Sequence, residues 1–188
     1  MTRDSAADGG VVALLARWRV ALGFLCGAAA LALAQPTTLS IASGMSLAAL
    51  GEALRVWAAG HVNKAREVTT SGPYRWIAHP LYAGSTIMGV GLAIACASTA
   101  VAILIAAYLA IALTAAIKNE EAFLRRRFGN RYDQYKRGED RALSEPRRFS
   151  FALAIANREH RAVAGLLVAL LLLVLKATYN GSFGGRGG

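Results

Sequence analysis

LYAGSTIMGVGLAIACASTAVAILIAAYLAIALTAAI, residues 81–117, is an unbroken apolar run of 37 residues. A bilayer core about 30 Å thick is crossed by roughly 20 residues of helix. The run is therefore too long for one span and long enough for two. The Ala97-Ser98-Thr99 step divides it, giving helices over about 81–97 and 99–117 joined by a short hairpin turn. Within it Gly89 with Ala93, and Gly91 with Ala95, have the small-xxx-small spacing that lets helices pack closely.

Three further apolar runs flank this pair. One covers about 19–34 and stops at Gln35-Pro36, where proline ends a helix. A second covers about 39–59, apolar except for Glu52 and Arg55, with Gly60 as its stop. The last covers about 162–179, with Lys176 placed to snorkel and Tyr179 at interface depth. Hydrophobic residues make up 55% of the chain and the mean hydropathy is +0.40, while charges collect in blocks between the apolar runs. This pattern predicts an all-α integral membrane protein of about five transmembrane helices, with a tight hairpin of spans three and four and a helical extension beyond the membrane. The expected divisions are a flexible leader over 1–16, two spans within 17–60, a core over 61–138, a basic connector over 139–161, the fifth span over 162–179 and a flexible tail over 180–188.

The formal charge of +10 invites a nucleic-acid reading, but its distribution answers to the positive-inside rule. The loops after spans one and three carry no Lys or Arg, whereas the first 19 residues, the 61–79 loop and the 118–161 block together hold 18 of the 21. That places the leader and both polar segments in the cytoplasm and the C-terminus outside; no nucleic-acid partner is expected. The first run has a small-residue step resembling a signal-peptide cleavage site; the second run follows it after a short uncharged turn, which favours a retained helix. Cys26 and Cys96 lie inside apolar runs without a CxxC partner and read as small hydrophobes, so neither a disulfide nor a metal site is expected.

Polar chemistry concentrates in three places. SGPYRWIAHPLYAGS, residues 71–85, leads from a turn through a basic aromatic loop into the hairpin. Pro80 reads as a helix start, since its missing N–H would have no intrahelical partner there, with His79 just before it. The first turn of that helix offers unpaired N–H groups and a positive dipole end, which suit an anionic group. Tyr74 and Trp76 read as interfacial aromatics and Arg75 as a cation able to reach lipid phosphate. Glu52 and Arg55 share a helical face inside a span, where ionisable residues either pair or line a cavity. Lys118-Asn119-Glu120-Glu121 and the following AFLRRRFGNRYDQYKR continue the fourth span outward to a stop at Gly129-Asn130. Glu121 stands i,i+4 from Arg125, and adjacent carboxylates face different ways, so one of Glu120 and Glu121 points inward. Arg125, Arg126, Arg127, Arg147 and Arg148 suit anionic lipid heads.

The order of these segments, GPYRxxxHPLYxG before an apolar hairpin and EE-x-x-L-x(3)-FG-x-x-Y-x-x-Y after it, resembles the isoprenylcysteine carboxyl methyltransferase and phospholipid N-methyltransferase superfamily over about residues 51–137. The run from Gly51 to Ser85 looks like the bacterial isoprenylcysteine methyltransferase branch. The resemblance implies a methyltransferase of the bacterial inner membrane that uses S-adenosyl-L-methionine at the cytoplasmic face and methylates a lipid-like acceptor. It maps cofactor contacts to His79, Pro80, Tyr82, Gly84, Glu120 and Glu121. The family pattern has arginine where this chain has Ala78, so that cation's task would pass to Arg75, Arg55 or His61. A carboxylate acceptor needs no base, whereas an amine acceptor needs one, for which His61 and Glu52 are candidates. Membrane sterol reductases, which take a nicotinamide nucleotide, have a similar helical layout and are the enzyme alternative; a membrane scaffold without chemistry is the other.

Overall fold

The computed structural model of the chain describes residues 21–63, 67–139 and 148–182. The expectations for the leader, for Lys64, Arg66 and Arg147, and for the end of the tail lie outside the described residues. Among the described residues there is no strand. The order is α1 (Ala21–Leu33), α2 (Thr38–Ala59), a 3₁₀ turn (Gly72–Arg75), α3 (Pro80–Cys96), α4 (Thr99–Phe128), α5 (Asn130–Arg137), α6 (Phe151–Ala156) and α7 (Glu159–Tyr179).

Helices α2, α4 and α7 are long and apolar enough to cross a membrane; α1 and α3 are apolar but shorter. The helical, membrane-protein expectation is met, and among the described residues three helices qualify as spans by length and composition. Large apolar side chains such as Leu39, Leu50 and Ile103 point outward, as lipid-facing residues do.

Local chemistry explains the boundaries. Thr37 caps α2 reciprocally: its hydroxyl accepts from the Ser40 N–H and the Ser40 hydroxyl accepts from the Thr37 N–H. Pro80 opens α3 with His79 at the cap position. The hairpin turn falls at the expected step, where Ala97 adopts a left-handed conformation (φ 48°) and Ser98 caps α4. Gly129 (φ 53°) ends α4 as expected, but the chain resumes at once as α5 and doubles back. Glycine's freedom at positive φ permits that reversal. Within 139–161 the described residues hold α6 and the first residues of α7.

The closest packing lies between α2 and α3 rather than within the α3–α4 hairpin. A Cβ on Gly44 would stand 2.3 Å from the Ala95 nitrogen, one on Gly91 2.4 Å from the Ala48 nitrogen, and one on Gly51 2.5 Å from the Met88 nitrogen. The two backbones touch along this stripe, and only hydrogen fits between them. On α3, Gly91 and Ala95 serve this contact, whereas Gly89 receives Leu109 of α4. Helix α4 buries only Val101 fully and presents most of its length outward.

At one end of the bundle Lys176 of α7 donates to the Ala32 carbonyl (2.8 Å), in the last turn of α1, so this lysine docks on a helix C-terminus instead of snorkelling. Cys96 is buried there and Cys26 is half-buried, both as free thiols. At the opposite end, Asn157 donates to the Ala59 and Val62 carbonyls, 2.9 Å each, tying the α6–α7 corner to the open end of α2.

Candidate active site

The polar residues fall into two neighbouring groups at the end of the bundle where α3 begins and α4 leaves its apolar segment. The first is built by α3, α4 and α5. His79 Nε2 lies 3.2 Å from Glu121 Oε1; for the pair to hydrogen-bond, Nε2 carries the proton, because a carboxylate only accepts. Lys136 of α5 donates to the same oxygen at 2.6 Å, and Arg125 Nη2 stands 3.6 Å from the other. Arg125 in turn holds Asp133 at 3.1 Å, which clamps α5 against α4. Glu121, its side chain 14% exposed, makes all these contacts, and Glu120 is half-buried like it. The Lys136 hydrogen bond, and behind it that of His79, outweighs burial and holds the Glu121 carboxyl below the ordinary glutamate range. Tyr82 lies against His79, ring centres 5.7 Å apart.

Beneath this group is a tyrosine layer. Tyr74, Tyr132 and Tyr135 are buried with Val62, Val68 and Ala58, and Ala78, Leu81 and Leu124 pack around them. The Tyr135 hydroxyl donates to the Tyr74 carbonyl at 2.9 Å. Tyr74 is therefore a core residue and not an interfacial aromatic: the turn at Gly72-Pro73 folds it inward, and Trp76 alone of the two is exposed. Burial, and then the charge of Glu120, keep the Tyr74 proton well above the ordinary phenol range. Ala78, the departure from the family pattern, packs on this layer.

The second group joins α2, α3 and α7. Arg55 Nη2 donates to both Glu159 oxygens, at 3.1 and 2.9 Å, Nη1 donates to the Ser85 hydroxyl, and Nε stands 3.3 Å from Glu52 Oε2. The last contact is an ion pair without hydrogen-bond geometry, so both Glu52 oxygens, though buried, lack a hydrogen-bond partner. Gly84 belongs to this group as well. A Cβ there would meet the Arg55 Cγ and the Gly51 carbonyl, each at 2.7 Å, so its smallness admits the arginine stem between the helices.

His61 and Arg75 are placed apart. His61 is buried, its Nδ1 2.9 Å from the Trp57 carbonyl and its ring against Phe149 and Gly72. Arg75 is exposed at the end of the 3₁₀ turn. The structure therefore brings together His79, Pro80, Tyr82, Glu120 and Glu121, and separately Glu52, Arg55 and Gly84. Ser85, Glu159, Tyr132 and Lys136 escaped the sequence reading. Glu159 stands in a basic block without a motif of its own; its signal was its place just before an apolar run, at the same end of the bundle as Arg55.

An apolar cleft of about 270 Å³ runs between α1 and α4, lined by Leu22, Cys26, Leu104, Tyr108, Ile111 and Asn119 among others. The cleft follows one face of α4 as far as Asn119. Among the described residues no set of three or more His, Cys, Asp or Glu converges as a metal site.

Fold and site together define a helical membrane protein with a polar cluster at one end, made from a helix start, a histidine and a pair of glutamates across a hairpin. The profile of the PEMT family, phospholipid methyltransferases, matches residues 22–131, more than half of the chain, and the protein belongs to that family. A nickel-cobalt-cadmium resistance protein, NccN, of Alcaligenes xylosoxydans xylosoxydans is 33% identical over 96 residues, which is 50% of this chain and 43% of the relative. The chain therefore spans less than half the length of that protein. No solved structure matches.

Proposed function

We propose that the protein transfers a methyl group from S-adenosyl-L-methionine to a lipid-like acceptor, a carboxylate or an amine, at the cytoplasmic face of the bacterial inner membrane. The observation that carries this reading is the His79–Glu121 contact at 3.2 Å across the hairpin, inside the stretch matched to a methyltransferase family. The residues at hand fit the cofactor's parts. The start of α3 with His79 suits its carboxylate, the carboxylates of Glu120 and Glu121 suit ribose hydroxyls or its amino group, and the face of Tyr82 suits adenine or a sulfonium.

When bound, S-adenosyl-L-methionine supplies a methyl group activated on a positively charged sulfur. The protein's task is positioning and electrostatics, because charge is dissipated rather than created in such a displacement. Glu121 is pre-oriented by His79 and Lys136, so little side-chain ordering is left for binding. The apolar cleft between α1 and α4 suits an acyl or prenyl chain along α4 as far as Asn119. A carboxylate acceptor arrives ionised and needs no proton acceptor; for an amine, Glu52 and His61 are the bases at hand, since Glu52 accepts no hydrogen bond beside its ion pair with Arg55, and His61, with Nδ1 on the Trp57 carbonyl, keeps Nε2 for a proton.

The test is a thermal shift or calorimetric titration of the detergent-solubilised protein with S-adenosylhomocysteine and with NADPH. A ligand at 100 times its Kd stabilises by about 2.7 kcal/mol, well within detection. Stabilisation by S-adenosylhomocysteine is expected; a response to NADPH alone would overturn the reading in favour of a reductase, and silence with both would favour a scaffold.

A further inference from the structure

Tyr132 is nearly the least exposed large residue of the protein, at 1%, and its hydroxyl has no hydrogen-bond partner among the described residues. A buried phenol normally finds one. Its neighbour in the layer shows the usual arrangement, since the Tyr135 hydroxyl donates to the Tyr74 carbonyl. Tyr132 shares a face of α5 with Lys136, four residues on, and Lys136 reaches Glu121 at 2.6 Å. The ring packs in the layer with Leu124, on the turn of α4 that follows Glu120 and Glu121. After burial, the charges of Glu121 and Glu120 act most strongly on its hydroxyl and hold its proton well above the ordinary phenol range. The phenol stays neutral, able to donate one hydrogen bond and to accept another.

We propose that Tyr132 is a positioning residue of the nucleotide pocket, its hydroxyl donating to a ligand hydroxyl that itself donates to Glu120 or Glu121, which makes the pocket selective for a nucleoside with an intact ribose. This rests on the reading of the first group as a nucleotide site. A hydroxyl with a carboxylate on one side and a phenol on the other is satisfied both as donor and as acceptor, and the same contact satisfies the orphaned phenol. Neither Glu120 nor Glu121 provides that discrimination alone, because a carboxylate accepts from amino and hydroxyl groups alike.

The experiment is a binding cycle on the full chain in detergent, with wild type and Tyr132→Phe against S-adenosylhomocysteine and its 2′-deoxy and 3′-deoxy forms, alongside thermal unfolding of both proteins without ligand. Removing the unpartnered hydroxyl leaves nothing to lose in the ligand-free protein, so the variant should unfold at the same or a higher temperature. Its affinity for S-adenosylhomocysteine should fall roughly fivefold, the size of one neutral hydrogen bond. One of the two deoxy ligands should bind wild type more weakly but lose little further on Tyr132→Phe, the non-additivity expected of groups in contact. Equal affinity of both proteins for all three ligands would overturn the role of Tyr132 while leaving the methyltransferase reading intact. A wild type that binds none of them would overturn both.

Discussion

At the residue scale the site turns on Glu121, on which three nitrogen groups converge from three directions: the His79 imidazole before the hairpin, the Arg125 guanidinium one turn on, and the Lys136 ammonium from α5. Such a carboxylate is held ready and is also costly to neutralise. Glu121→Gln keeps the shape but weakens the bonds to His79 and Lys136, since charge-assisted hydrogen bonds are about twice as strong as neutral ones. We expect it to weaken binding of S-adenosylhomocysteine about tenfold with little loss of folded protein, measured by titration and by size-exclusion recovery. Glu120→Gln, on a half-buried side chain without those partners, should cost less. Wild-type binding by both variants would reduce the pair to surface charges. The same geometry sets a pH dependence. The folded Glu121 carboxyl titrates below its ordinary value of 4.5, so its contribution to stability is present above that value and disappears as pH falls through the lower, folded one. Unfolding midpoints followed down from about pH 7 to pH 3 should therefore drop on the acid side, and Lys136→Ala should flatten that drop by removing the principal cause of the shift. An unchanged acid limb in Lys136→Ala would show that the contact does not persist in solution.

At the element scale the decisive object is the α2–α3 stripe, where Gly44, Gly51 and Gly91 bring two backbones into contact. Gly91→Ala would place a methyl group 2.4 Å from the Ala48 nitrogen, and backbone cannot step aside as a flexible side chain can. Overpacking of this kind costs about 1–3 kcal/mol, so a lower unfolding temperature in detergent is expected. Gly27→Ala, which meets nothing within 4 Å, should be neutral or better because alanine favours helix; equal behaviour of the two variants would mean the helices do not meet as described. The helices themselves were legible in the sequence, because apolar runs, proline breaks and the Ala97-Ser98 step are local signals. Which helix packs on which was not. The small-residue spacing in α3 marked a close approach without naming its partner, and that partner is α2, already past in the chain. Helix α5 was hidden for a related reason: Gly129-Asn130 reads as a stop, and only the clamp between Arg125 and Asp133 makes it a reversal. Tyr74 misled because a tyrosine beside a membrane span serves an interface or a core equally well, and burial under Ala78 and Tyr135 is a tertiary fact.

At the scale of the whole molecule, two devices close the bundle at opposite ends. Lys176 fastens α7 to α1, and Arg55 fastens α2 to α3 and α7 through Ser85 and Glu159. The second is the more exacting, because its charges lie where water does not compensate them. Removing one partner of a buried pair typically costs about 3–5 kcal/mol, whereas replacing all partners by neutral groups of similar shape is often tolerated. Arg55→Met strands the buried Glu52 and Glu159 and should greatly reduce the yield of folded protein. Glu52→Gln should fold, since the Glu52 oxygens accept no hydrogen bond to begin with. The triple variant Glu52→Gln, Arg55→Met, Glu159→Gln should recover much of what Arg55→Met alone loses, as read by fluorescence-detected size exclusion and unfolding temperature. Methyl transfer then separates structure from chemistry. If the network only closes the bundle, the triple variant regains activity along with its fold. If Arg55 or Glu52 also faces the acceptor, it regains the fold and S-adenosylhomocysteine binding yet stays inactive, and Glu52→Gln alone lowers turnover of an amine acceptor while sparing a carboxylate one. We expect the second pattern, because a span that needed only packing would have no use for a carboxylate left without a hydrogen-bond partner.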